Sequence, residues 1–110
     1  MTTLIAIAAL VAVSALAGAA QAAPAATITV GNNFLSPSSK TISSGTKLRF
    51  KWLGGESHHI VKTKGPGGDI KSPATRKKGV NLAKVLTKRG TYRFICTFHP
   101  TEMRTKVVVR

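Results

Sequence analysis

An antiparallel β-sandwich of about six to eight short strands is the fold this sequence predicts, and three observations carry it. Short runs alternate apolar and polar residues, the period of a half-buried strand. Gly, Pro, Asn and Ser break those runs at brief intervals. No helical pattern emerges after the first two dozen residues. With 110 residues there is room for one domain.

Ala26-Thr-Ile28-Thr-Val30 alternates and reads as the first strand. Gly31-Asn32-Asn33 turns the chain into Phe34-Leu35-Ser36-Pro37, an edge segment because Pro37 has no N–H for a ladder. Ser43-Ser44-Gly45 is the next turn. Thr46 to Leu53 is the clearest strand: Leu48, Phe50 and Trp52 share one face, and Lys47, Arg49 and Lys51 the other. Charges on alternate positions mark a sheet packed on one side only. Gly54-Gly55 ends it, and His58-His59-Ile60-Val61 starts another strand.

Lys64 to Gly79 holds four glycines and two prolines and reads as a long loop, with a short edge strand near Ile70. Val80 to Leu86 resumes as a strand whose alternation Lys84 blurs. After Arg89-Gly90, Tyr92, Phe94 and Cys96 share an inward face. In the last strand Thr105, Val107 and Val109 face in, and Arg104, Lys106 and Arg110 face out. About 88 residues bury one thin core, so stability without a metal is expected to be modest.

Residues Leu4 to Ala20 carry no charge, and Ala20-Gln21-Ala22 offers a signal-peptidase pattern. Residues 1–22 therefore read as a secretory signal and 23–110 as the mature domain, exported to the periplasm or outside the cell. The alternative is an uncleaved segment that keeps the domain at the membrane, for which 17 residues barely suffice. Cys96 is the only cysteine, so no internal disulfide can form. A lone cysteine in an exported protein calls for a reason, and metal ligation supplies one.

All 17 Lys and Arg lie after residue 23, against Glu56, Asp69 and Glu102. Such a charge attracts acidic partners and does not bear on fold. The expected partner is an acidic redox protein or an anionic membrane surface. Nucleic acid is set aside: the protein is read as exported, and six aromatic residues come with no binding motif.

The chemistry concentrates in Cys96-Thr-Phe-His99-Pro-Thr-Glu-Met103, which joins two strand-like segments. Thiolate and thioether favour copper, imidazole suits several metals, and His₂Cys with a weak axial Met is the blue-copper arrangement. The second imidazole comes from His58 or His59. Alternation leaves these open, since His58 shares a face with Ile60 and Lys62, and His59 with Val61 and Thr63.

The run from Tyr92 to Val109 resembles the C-terminal end of the cupredoxins, nearest the amicyanin and plastocyanin-like members. Phe34-Leu-Ser-Pro37, Ser44-Gly45, Trp52, Ser57-His58-His59-Ile60-Val61 and Gly90-Thr91-Tyr92 follow that family's order. The resemblance implies a Greek-key sandwich, one copper ion cycling between Cu(II) and Cu(I), and the ligands His58, Cys96, His99 and Met103. His58 is preferred because the family's first histidine is followed by one polar residue and an apolar pair. His59 then stands where relatives carry a residue that braces the ligand loop. The His99–Met103 segment is one residue longer than in amicyanin, which makes Glu102 a rival to Met103. The match of Met103-Arg104-x-Lys106-Val-Val-Val109 favours Met103.

The function this implies is a monomeric exported electron shuttle, without enzyme activity or a small-molecule substrate. A copper carrier or store could use the same ligands. An oxidase or reductase would need more ligands than three histidines allow. In a metal-free adhesion sandwich, the Cys96, His99 and Met103 grouping would be coincidence.

Overall fold

The computed structural model describes residues 24–110, so the expected signal segment lies outside the described residues. Among the described residues, eight strands and no helix are formed: β1 (Ala25–Gly31), β2 (Phe34–Ser36), β3 (Ser39–Ile42), β4 (Thr46–Trp52), β5 (Ile60–Lys64), β6 (Gly79–Leu86), β7 (Gly90–Cys96) and β8 (Arg104–Val109). They build two four-stranded sheets, ordered β2-β1-β4-β6 and β3-β8-β7-β5.

Most neighbours run antiparallel, as the alternating runs predict, and two pairs run parallel. β1 lies along β4 from Ala25↔Lys47 to Val30↔Trp52, and β3 along β8 from Ser39↔Lys106 to Ile42↔Val109. The chain crosses between sheets after β2, and β3 enters the second sheet beside the last strand. Ser39–Ile42 had no strand signal of its own, since only Ile42 of its four residues is buried.

The period-two faces close on each other as a dry core. Leu48, Phe50 and Trp52 from β4 meet Tyr92, Phe94 and Cys96 from β7, all nearly or wholly buried. Phe50 and Phe94 bridge the sheets edge to face, with ring centres 5.0 Å apart; such pairs contribute about 1 kcal/mol beyond their area. The buried Trp52 indole N–H donates to the Thr75 carbonyl at 2.9 Å, tying β4 to the long 65–78 segment.

That segment also carries the short edge pairing expected near Ile70. Val61 bridges to Lys71, Lys62 N–H donates to the Ile70 carbonyl at 2.8 Å, and Ser72 N–H donates to the Ile60 carbonyl at 2.8 Å. A further bridge, His58↔Thr75, fixes the chain just ahead of β5. His58 and His59 therefore precede the strand expected to begin with them.

Candidate metal centre

The register of β5 on β7 decides which histidine meets the cysteine. Ile60 lies opposite Cys96 and faces the core, both fully buried. His58, two residues earlier, stays on that inner side and is itself buried. Its Nδ1 sits 3.8 Å from Cys96 Sγ. His59 turns the other way: its Nδ1 lies 3.0 Å from the Thr97 hydroxyl, and its ring centre 6.3 Å from that of Phe98. The His59 carbonyl also accepts from Thr97 N–H at 2.9 Å, so His59 is tied to the Cys96–Met103 loop rather than to the buried Cys96 thiol.

Three backbone hydrogen bonds hold the loop from Cys96 to Met103. His99 N–H donates to the Cys96 carbonyl at 3.2 Å, Met103 N–H to the His99 carbonyl at 2.9 Å, and Cys96 N–H to the Met103 carbonyl at 2.9 Å. The last brings both ends of the loop side by side, so Met103 is as buried as Cys96. Glu102 is exposed. His99 reaches the surface with its side chain 38% exposed, and its ring centre lies 6.5 Å from that of His58. Phe98, half exposed, and Pro100 flank it.

Two residues without a role in the sequence reading complete the surroundings. Asn32, in the β1–β2 turn, places its Oδ1 3.3 Å from His58 Nε2. The same oxygen accepts from the Glu56 backbone N–H at 3.4 Å. A peptide N–H only donates, so the shared atom is the amide oxygen, and His58 must be the donor in the other contact. That puts the His58 proton on Nε2 and leaves the Nδ1 lone pair facing Cys96. Gly55 packs close here: a Cβ there would lie 3.2 Å from Asn32 Nδ2, and its φ of +104° favours glycine. Glu56 places a carboxylate oxygen 3.8 Å from His99 Nε2. In the sequence, Asn32 showed only as turn chemistry, and a side chain 26 positions from its partner leaves no local signal.

Burial pushes the His58 imidazole below its ordinary pKa; Glu56 pulls it up and His99 adds to the lowering. Burial thus favours the neutral imidazole, the form that ligates metals. Among the described residues, no three His, Cys, Asp or Glu side chains lie close enough together to hold a metal ion, His58, Cys96 and His99 included. Met103, buried at the same end of the sandwich, adds a thioether to the donors there. One buried thiol, one buried thioether and two imidazoles suit copper better than a hard cation. A cavity of about 290 Å³ touches β7 at Tyr92, four residues before Cys96, and none of these donors lines it.

The family model of the cupredoxin-like domain matches residues 3–109. No curated protein matches the chain. Among solved structures, it is similar to a proline-to-phenylalanine variant of amicyanin in the reduced state. There the TM-score is 0.68 and the identity 26%, covering 86% of this chain and 90% of that one. A proline-to-glycine variant of amicyanin, in its reduced Cu(I) form at pH 4, gives 0.68 and 25% over the same shares. A reduced tryptophan-to-tyrosine variant gives 0.69 and 24%, covering 84% and 88%, a likeness of fold alone. The resemblance carried by the Cys96–Met103 loop thus holds for the whole sandwich, and the chain belongs to the cupredoxin-like domain family.

Proposed function

We propose that this chain is an exported type 1 copper protein that passes single electrons between redox partners. His58, Cys96, His99 and Met103 are its copper ligands. The observation that carries this reading is the placement of His58 Nδ1 3.8 Å from Cys96 Sγ, at the end of the sandwich where Met103 is buried and His99 reaches the surface. The similarity to amicyanin solved with Cu(I) supports the choice of metal.

Copper, when bound, supplies the one-electron Cu(II)/Cu(I) couple. The chain contributes rigidity and access. Cys96 ends β7, His58 is pinned by the Thr75 bridge and by Asn32, and Met103 is tied back to Cys96, so three of the four donors sit on fixed backbone. A site held in this way changes little between oxidation states, which keeps the reorganisation barrier low. His99, beside Phe98 and Pro100, gives the electron its edge at the surface. One site takes two of the three histidines and the only cysteine, which leaves few donors for the further metal sites an oxidase or reductase needs, and the protein acts as a carrier of electrons rather than an enzyme. Its partners are acidic, either a redox protein or an anionic membrane surface, and it works as a monomer in the periplasm or outside the cell.

The exposure of His99 is the feature that would also suit a copper carrier. Voltammetry of the copper-loaded protein, paired with copper transfer to a chelator in excess, separates the two. The electron-shuttle reading expects a reversible one-electron wave and slow metal loss. Rapid loss to the chelator without a reversible wave would contradict it.

A further inference from the structure

The outer face of the β3-β8-β7-β5 sheet is charged in a way that folding opposes. Lys64, Arg93 and Lys106 stand opposite one another on three adjacent strands. Neighbouring strands lie about 4.8 Å apart, so these side chains leave the backbone side by side. Like charges directly opposite destabilise a sheet. The next row along the strands runs Lys71, Val61, Ile95, Arg104, with a cation at each end. Lys64, Lys71, Arg93 and Arg104 are exposed, and Lys106 is half-buried.

Among the described residues, none of the five has a carboxylate partner. Among the described residues the one acidic contact is Glu56 with His99, at the candidate metal centre. Glu102 lies in the ligand loop and Asp69 in the 65–70 turn, outside both rows. The opposite sheet differs. There Lys47, Arg49 and Lys51 follow one strand, and their cross-strand neighbours are Ala25, Thr27 and Thr29 on one side and Val85, Ala83 and Val80 on the other. No cation on that face opposes another.

We propose that this five-cation face docks on an anionic lipid bilayer. The face fits a plane of headgroup charge better than it fits a macromolecular partner with a defined anchor. Protein hot spots draw on Trp and Tyr as well as Arg, and single-stranded nucleic acid stacks on aromatic rings. Here the residues between the cations are Val61, Ile95, Val108 and threonines, with no ring among them. Docked in this way, the strands lie in the plane of the membrane. The centre at their ends, with His99 and Phe98, then opens along the surface, free to meet a membrane-bound redox partner. The inference takes up the anionic-surface part of the partner reading and is independent of copper, so either can fail alone.

The test is co-sedimentation with vesicles of phosphatidylcholine, with and without phosphatidylglycerol, using the full chain and the form that begins at Ala23. Each basic residue near an anionic surface is worth about fivefold in partitioning. The Arg93→Gln/Lys106→Gln variant should lose about 20-fold of its partitioning onto anionic vesicles, and binding should fall with added salt. Lys47→Gln/Lys51→Gln removes the same charge from the other sheet and should lose less than about threefold. Thermal unfolding of Arg93→Gln/Lys106→Gln should be unchanged or raised, because an opposed pair is removed, so lost binding cannot be lost folding. Equal losses in both variants would overturn the proposal, as would equal partitioning onto neutral and anionic vesicles. So would a loss confined to binding a DNA duplex or an acidic protein, with vesicle binding intact.

Discussion

Asn32 Oδ1 and His58 Nε2 lie 3.3 Å apart, and through this contact a turn residue selects which imidazole nitrogen faces Cys96. Outer contacts of this kind fix a ligand's tautomer and orientation, and losing one typically costs about 10- to 100-fold in metal affinity. Asn32→Ala should therefore bind copper more weakly by that order while keeping the same ligands. The check is competition against a chelator, with the visible spectrum recorded alongside. An unchanged affinity would remove Asn32 from the account of the site.

Met103 is fully buried beside Cys96, whereas Glu102 is exposed. Axial ligands of blue-copper sites tune potential more than they hold the metal. Met103→Leu is expected to retain copper and raise the reduction potential, because removing a weak donor disfavours Cu(II). Glu102→Gln should leave the potential where it was. The two potentials, measured by voltammetry, would reverse the assignment if only the Glu102 variant shifted.

Tyr92 gives the fold an alkaline limit. Its ring is buried, its hydroxyl donates to the Lys88 carbonyl at 2.6 Å, and burial raises its pKa above the ordinary 10.0. The folded state thus holds the phenol proton more tightly than the unfolded chain does. Its contribution is whole below the unfolded value and is lost as pH climbs through the folded one. As pH rises above about 10, the melting temperature should fall more steeply for the natural protein than for Tyr92→Phe. At neutral pH the variant should be less stable by about 1 kcal/mol, the worth of one hydrogen bond. Parallel curves for the two proteins would show that Tyr92 does not set the limit.

The strands were legible wherever one face meets the core and the other meets water. Thr46–Trp52 and Gly90–Cys96 are such cases, and their burial alternates as their sequences do. The parallel β1–β4 and β3–β8 pairings left no local trace, because a strand's period does not say which neighbour it takes. The choice between His58 and His59 was obscured by one residue. Lys62 lies on the inner side of β5 with Ile60, which made the His58 face look polar. Its stem runs inward past Tyr92, with Nζ 5.8 Å from the ring centre, while the ammonium reaches the Pro66 carbonyl at 2.8 Å and the Gly67 carbonyl at 3.2 Å. A lysine that snorkels in this way counts as apolar along most of its length. The Cys96–Met103 loop stands out in the sequence because its candidate donors are close together; Asn32 and Glu56 do not, because they approach those residues only through the fold.

The visible absorption spectrum of the protein reconstituted with Cu(II) tests the central claim most directly. An intense thiolate-to-copper band is expected in the natural protein and in His59→Ala, and its loss in Cys96→Ser and His58→Ala. A band that survives His58→Ala and disappears in His59→Ala would contradict the ligand assignment, and no band in the natural protein would contradict the blue-copper reading itself.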